Sequence, residues 1–186
     1  LVGGVAFMLT QEKPADEKAT PELAANVKIG VLLGSTGPIE SLTPDMASGA
    51  KLAMKEASES GAFMSGSKVI SVRGDSTCVD AAAATATAER LITSDGVSAI
   101  MGADCSGVTT AVLQNVALAK GVVMISPSAT SPALSTVEDN GLFFRTSPSD
   151  ARQGQVLAEI LKEKGVKSGF VVDEEGVIAT NFHVIG

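Results

Sequence analysis

The sequence predicts an α/β fold: a doubly wound, mostly parallel sheet with helices on both faces, plus a short C-terminal β-hairpin. Short apolar runs alternate with helical stretches at the spacing of βα units, and Gly, Pro and Ser punctuate the junctions. Parallel neighbours need a crossover helix, and right-handed crossovers distribute those helices over both faces. The chain has 186 residues, 45% hydrophobic and 19% charged. A chain of that size buries roughly 70% of its unfolded surface, so a real core is within reach.

The elements follow in order. Val27-Lys-Ile-Gly-Val-Leu-Leu33 reads as a buried strand and Gly34-Ser-Thr-Gly-Pro38 as a turn. Thr43 followed by Pro44 resembles an N-cap and first helical residue, opening a helix over residues 44–58 with Met46, Ala50, Ala53, Met54 and Ala57 at helical spacing. Residues 68–73 form the second strand and residues 79–93 an Ala-rich helix; residues 97–101 form the third strand. Ser106 stands as the expected N-cap of a helix over residues 107–120. Strands follow at 122–125 and 142–145, then a helix over 150–164 capped by Ser149 and stopped by Gly165, then a sixth strand over 166–172.

Composition excludes several function classes. Fourteen Lys and Arg against 21 Asp and Glu give a net charge of −7, with no basic stripe to displace counterions from nucleic acid. Trp and Tyr are absent, which removes the usual stacking platforms. No apolar run reaches the ~18 residues of a membrane span. One His and two Cys cannot complete a four-ligand zinc site without carboxylates, so no metal is expected. Gly34 and Gly37 fit neither a phosphate loop nor a dinucleotide fingerprint, and no cofactor is implied. Residues 1–26 pair an apolar start with a polar stretch, as the back half of a secretory signal and a flexible mature N-terminus would.

In a doubly wound sheet, ligands bind beyond the C-terminal strand ends. The loops there are small and hydroxyl-rich: Asp104-Cys-Ser-Gly107 and Ser126-Pro-Ser-Ala-Thr-Ser-Pro132. Hydroxyls and free amides at a helix N-terminus suit an anion, and without Lys or Arg in the loops a carboxylate fits better than a polyphosphate. The same residue types also serve as plain caps, so Ser106 and Thr130 could do no more than close a helix and a turn.

Residues 27–167 resemble the first lobe of a periplasmic branched-chain amino-acid binding protein, the receptor of an ABC importer. The resemblance is carried, in order, by Ile29-Gly-Val-Leu-Leu-Gly-Ser-Thr-Gly-Pro38, Gly49-Ala-Lys-Leu-Ala53, Met124-Ile-Ser-Pro-Ser-Ala-Thr-Ser-Pro132 and Phe144-Arg-Thr-Ser-Pro-Ser-Asp-Ala-Arg-Gln-Gly154. It implies export, a small amino acid or related carboxylate as ligand, and an ABC permease as partner. It also implies a disulfide between Cys78 and Cys105, against the alternative of two free thiols in a reducing compartment. Ser106 matches the serine whose hydroxyl takes the ligand's α-carboxylate. Ser128 matches a position giving backbone contacts to the head group, and Thr130 a threonine that bonds both ammonium and carboxylate, with Ala129 between them. Leu42 falls where many relatives carry an aromatic against the substrate side chain, and its being Leu departs from that pattern. An uncovered apolar cleft would favour pairing of two copies.

The resemblance covers the first lobe alone. Residues 168–186 instead resemble the start of an HtrA/Deg-type trypsin-like serine protease domain, with Asp173-Glu-Glu-Gly176 as a hairpin turn and His183 at the catalytic histidine. A histidine base activates nothing without a serine in reach, an orienting carboxylate and an oxyanion hole. No Gly-x-Ser-Gly segment occurs, so the chain reads as a binding lobe and not as an enzyme.

Overall fold

The computed structural model describes residues 26–165, 168–172 and 178–183. Alternation along β1 (Val27–Leu33) sets the layering, because successive side chains of a strand point to opposite faces. Val31 and Leu33 face one side with Ala47, Met46, Ala50 and Met54 of α1 (Thr43–Glu59). Leu32 faces the other side with Ala84, Ala88 and Leu91 of α2 (Ala81–Thr93) and Val108 and Val112 of α3 (Ser106–Val112). Helices therefore cover both faces, as the alternating pattern predicts.

β1 pairs in parallel with β2 (Val69–Asp75) on one side and β3 (Ala99–Gly102) on the other, and β4 (Val123–Ser126) and β5 (Phe143–Arg145) extend the sheet in the order β2-β1-β3-β4-β5. The larger core lies under α2 and α3, where Leu32, Leu91, Ile100, Leu113 and Met124 are fully buried; each such side chain contributes about 1.5–3 kcal/mol on leaving water. α2 lies close to the sheet because Gly74 offers no side chain: a Cβ there would sit 2.7 Å from Thr87 Cγ2 and 2.9 Å from Leu91 Cδ1. On the opposite face, register places Val31, Met101, Ile125 and Phe144 in one row across four strands. α1 covers the first two; Ile125 is 43% and Phe144 53% exposed.

Local signals explain most helix ends. Asp80 caps α2 by accepting the Ala83 N–H at 2.9 Å, and Ser149 caps α5 (Asp150–Glu163) by accepting that of Ala151 at 3.3 Å. Gly165, with φ +71°, follows the end of α5 as expected. Two expected caps are corrected. Thr43 is the first residue of α1, and its hydroxyl donates to Gly34 O at 2.6 Å, tying the helix to the β1 loop. Ser106 is likewise already inside α3, with Cys105 at the cap position. The helix expected over 107–120 is three pieces: α3, a π-helical turn Leu113–Ala117, and a last turn α4 (Leu118–Lys120) ended by left-handed Gly121.

The sixth strand does not join the parallel sheet. β6 (Ser168–Val172) pairs antiparallel with β7 (Ile178–His183) in a separate two-stranded sheet, which is the C-terminal hairpin. Its turn, Asp173 to Gly176, lies outside the described residues, as do residues 1–25 with the signal-like stretch.

Candidate functional site

All five strands of the main sheet run the same way, so their C-terminal ends share one edge. The winding reverses between β1 and β3: β1 leads into α1 on one face, β3 into α3 on the other. A crevice opens where two neighbouring strands lead away in opposite directions. The loops flanking it follow β1, β2, β3 and β4, and they hold the residues that sequence singles out.

Two of those loops are joined directly. The Ser131 N–H donates to Ser106 Oγ at 3.1 Å, and Ser128 Oγ donates to Asp104 O at 3.0 Å. Ser106 Oγ is thus an acceptor within the protein and keeps its own proton for a further bond. Ser128 has spent its proton and keeps its lone pairs. Thr130 Oγ1 has no hydrogen-bond partner among the described residues, while its carbonyl accepts the Asp150 N–H at 3.0 Å. The first N–H groups of α3 have no acceptor inside the helix and open to the same edge. Ser106, Ser128 and Thr130 are all half-buried.

The other two expected residues sit differently. Ala129 is fully buried; its N–H goes to Ser126 Oγ at 3.0 Å and its carbonyl accepts from Arg145 Nη1 at 3.1 Å and Ser147 Oγ at 3.3 Å. It anchors its loop and offers no free polar group. Leu42 is 60% exposed on the loop leaving β1, next to buried Thr43, so it shares the edge but belongs to another loop.

Charged residues missed from the sequence hold these loops in place. Asp104 is 2% exposed. Its Oδ2 accepts the Gly34 N–H at 2.6 Å, and its Oδ1 accepts Ser76 Oγ at 2.7 Å and the Cys105 N–H at 2.9 Å. Arg145, paired with Ser126 in the sheet, sends Nη1 to the carbonyls of Ala129 and Ser131. A cation therefore does stand beside the loop after β4, supplied by β5 and not by the loop itself. Its signal lay in the strand register, which no local pattern displays.

Asp75 links the first two loops, accepting from Ser35 N–H at 2.9 Å, Thr36 Oγ1 at 2.6 Å and Thr77 N–H at 2.9 Å. Partial burial pushes its pKa up, but the hydrogen bonds from Thr36, Thr77 and Ser35 outweigh that and hold it below the ordinary 3.8. Cys78 and Cys105 form a disulfide with Cα atoms 5.2 Å apart, fixing the β2 loop to the start of α3.

What this edge can do is narrow. It presents hydroxyl and amide donors with no cluster of His, Cys, Asp and Glu placed to hold a metal among the described residues. Neutral dipoles can hold a zwitterion without burying a countercharge. Surface hollows of about 360, 380 and 530 Å3 lie between α1 and β2, along α5, and between α2 and the π-turn. No helix among the described residues is long and apolar enough to cross a membrane.

Residues 26–181 match the family described as periplasmic binding protein. The chain is 29% identical over 164 residues to the Leu/Ile/Val/Thr-binding protein of Salmonella typhimurium, covering 88% of this chain and 41% of the relative. It is 30% identical over 142 residues to the Leu/Ile/Val-binding protein of Escherichia coli K12, covering 76% of this chain and 37% of the relative. Among solved structures, the isoleucine-bound branched-chain amino acid transporter substrate binding protein of Streptococcus pneumoniae superposes with a TM-score of 0.67 at 30% identity, over 75% of this chain and 38% of that one. The chain spans about two fifths of the length of the curated relatives. The family match runs through most of the segment that resembles a protease, and these matches lend the protease resemblance no support.

Proposed function

The chain belongs to the periplasmic binding protein family, and from that premise we propose that its sheet edge forms one wall of a cradle for a free amino acid of the branched-chain type or a related carboxylate. Ser106 and Thr130 donate to the α-carboxylate, and the loop at Ser128 faces the head group. Leu42 stands toward the side chain. In this role the lobe serves an ABC-type importer outside the cytoplasm, with the permease as protein partner, and it catalyses no reaction.

The observation that carries the reading is the bond from Ser131 N–H to Ser106 Oγ. It brings the loops after β3 and β4 together while leaving the Ser106 proton and the Thr130 hydroxyl available. The names of the relatives support the ligand class, and the disulfide suits an oxidising compartment. A single wall touches one side of its ligand, so affinity is expected near ~1 mM, about 4 kcal/mol. Isothermal titration with leucine, isoleucine and valine tests it. Saturable binding in that range supports the proposal; no binding of any amino acid up to about ten times that concentration refutes it.

A further inference from the structure

We propose that Asp104 is the positioning residue of this edge: its carboxylate sets where Ser106 and the loop after β4 stand. A buried carboxylate is costly unless its lone pairs are filled. Here no cation fills them among the described residues. Three donors do, drawn from the β1 loop (Gly34 N–H), the β2 loop (Ser76 Oγ) and the start of α3 (Cys105 N–H).

The connection continues through the backbone. Asp104 O accepts Ser128 Oγ, and Ala103 O accepts Ser126 Oγ, so the peptide that the carboxylate fixes is also the seat of the loop after β4. Ser106, two residues on, then receives the Ser131 N–H. One residue thus touches all four loops at the edge.

The chemistry requires a carboxylate. Gly34 N–H and Cys105 N–H can only donate, and they approach different oxygens. An asparagine would turn an NH2 toward one of them and leave a backbone donor unpaired. A side chain that merely stabilised the core would lie beneath the strands, whereas this one lies where the four loops meet. The consequence for ligand affinity rests on the amino-acid reading above; the positioning itself does not.

The test is amide hydrogen exchange on the ligand-free protein, alongside leucine titration. Asp104→Asn is expected to speed exchange at Ala129 and Ser131 by about tenfold more than at Val31 and Leu32 in β1, and to weaken leucine binding about tenfold. Leu91→Ala, a core truncation that makes no hydrogen bond to Asp104 or its partners, should lower thermal stability without that selective opening. Ser76→Ala removes one donor of the three and should give the same pattern more weakly, so it decides the matter if Asp104→Asn does not fold. Uniform exchange changes in the Asp104 and Ser76 variants, indistinguishable from Leu91→Ala, overturn the proposal. If the parent protein binds no amino acid, the functional reading fails while the exchange pattern still decides the role of Asp104.

Discussion

Ser131 N–H and Ser106 Oγ meet at 3.1 Å across 25 positions of sequence, and that bond makes one surface of two loops. Ser106→Ala removes both an acceptor for Ser131 and the donor offered to a ligand carboxylate. A hydrogen bond to a charged group contributes about 1.5–3 kcal/mol, so leucine affinity should fall by about ten- to a hundredfold. Thr130→Val, which deletes an unpartnered hydroxyl, should cost affinity with little change in thermal midpoint. Calorimetry and thermal melts on the same samples separate the two effects.

Removing the disulfide has a calculable cost. The Cys78–Cys105 bridge spans a sequence separation of 27, for which the chain-entropy argument gives about 3.5 kcal/mol. The paired Cys78→Ser and Cys105→Ser variant should therefore unfold at markedly lower urea, with a reducing agent doing the same to the parent. Equal urea midpoints with and without the bridge would contradict this.

Asp75 sets part of the acid limb of stability. Its folded pKa lies below the ordinary 3.8, because bonds from Thr36, Thr77 and Ser35 outweigh the effect of burial. Its stabilising contribution is therefore fully present above the unfolded value and is lost as pH falls through the depressed folded value. Asp75→Asn should be less stable than the parent at neutral pH, and the gap should narrow on acidification below about pH 4. Urea midpoints measured from pH 6 to pH 2 would show it.

Gly74 tests the close approach of α2. An alanine Cβ there would meet Thr87 Cγ2 at 2.7 Å and Leu91 Cδ1 at 2.9 Å. Gly74→Ala should cost roughly 1–3 kcal/mol by overpacking. Adding Thr87→Ala should recover part of that loss, and strictly additive losses in the double variant would place the cause elsewhere.

Ile125 and Phe144 give a prediction of the opposite kind. Both are apolar, paired in register and exposed beyond the cover of α1. Ile125→Thr with Phe144→Ser should lower the thermal midpoint by less than truncating the fully buried Leu91 does, because about half of each side chain already meets solvent. Any concentration-dependent sedimentation of the parent should diminish. A drop as large as that of Leu91→Ala would show that the row is covered in solution.

Strand and helix order was readable because periodicity is local: the alternation through Val31, Leu32 and Leu33 and the helical spacing through Met46, Ala50 and Met54 need no knowledge of partners. The loop chemistry was half readable. Ser and Thr before a helix look alike whether they cap it or bond elsewhere: Thr43 bonds back to Gly34 in its own loop, and Ser106 meets the loop after β4. Asp104 and Arg145 were not readable as site residues at all, since their partners lie up to 70 positions away and depend on strand order. The π-turn at Leu113–Ala117 has no sequence signature of its own.

Because every strand of the main sheet ends on the same side, the loops proposed to meet a ligand are gathered at one edge, apart from most of the apolar core. Loop tips can exchange residues and so drift toward new solutes, while the strand bodies beneath continue to specify the same scaffold. Such an arrangement lets one architecture diversify into a repertoire of receptors without having to reinvent how it folds.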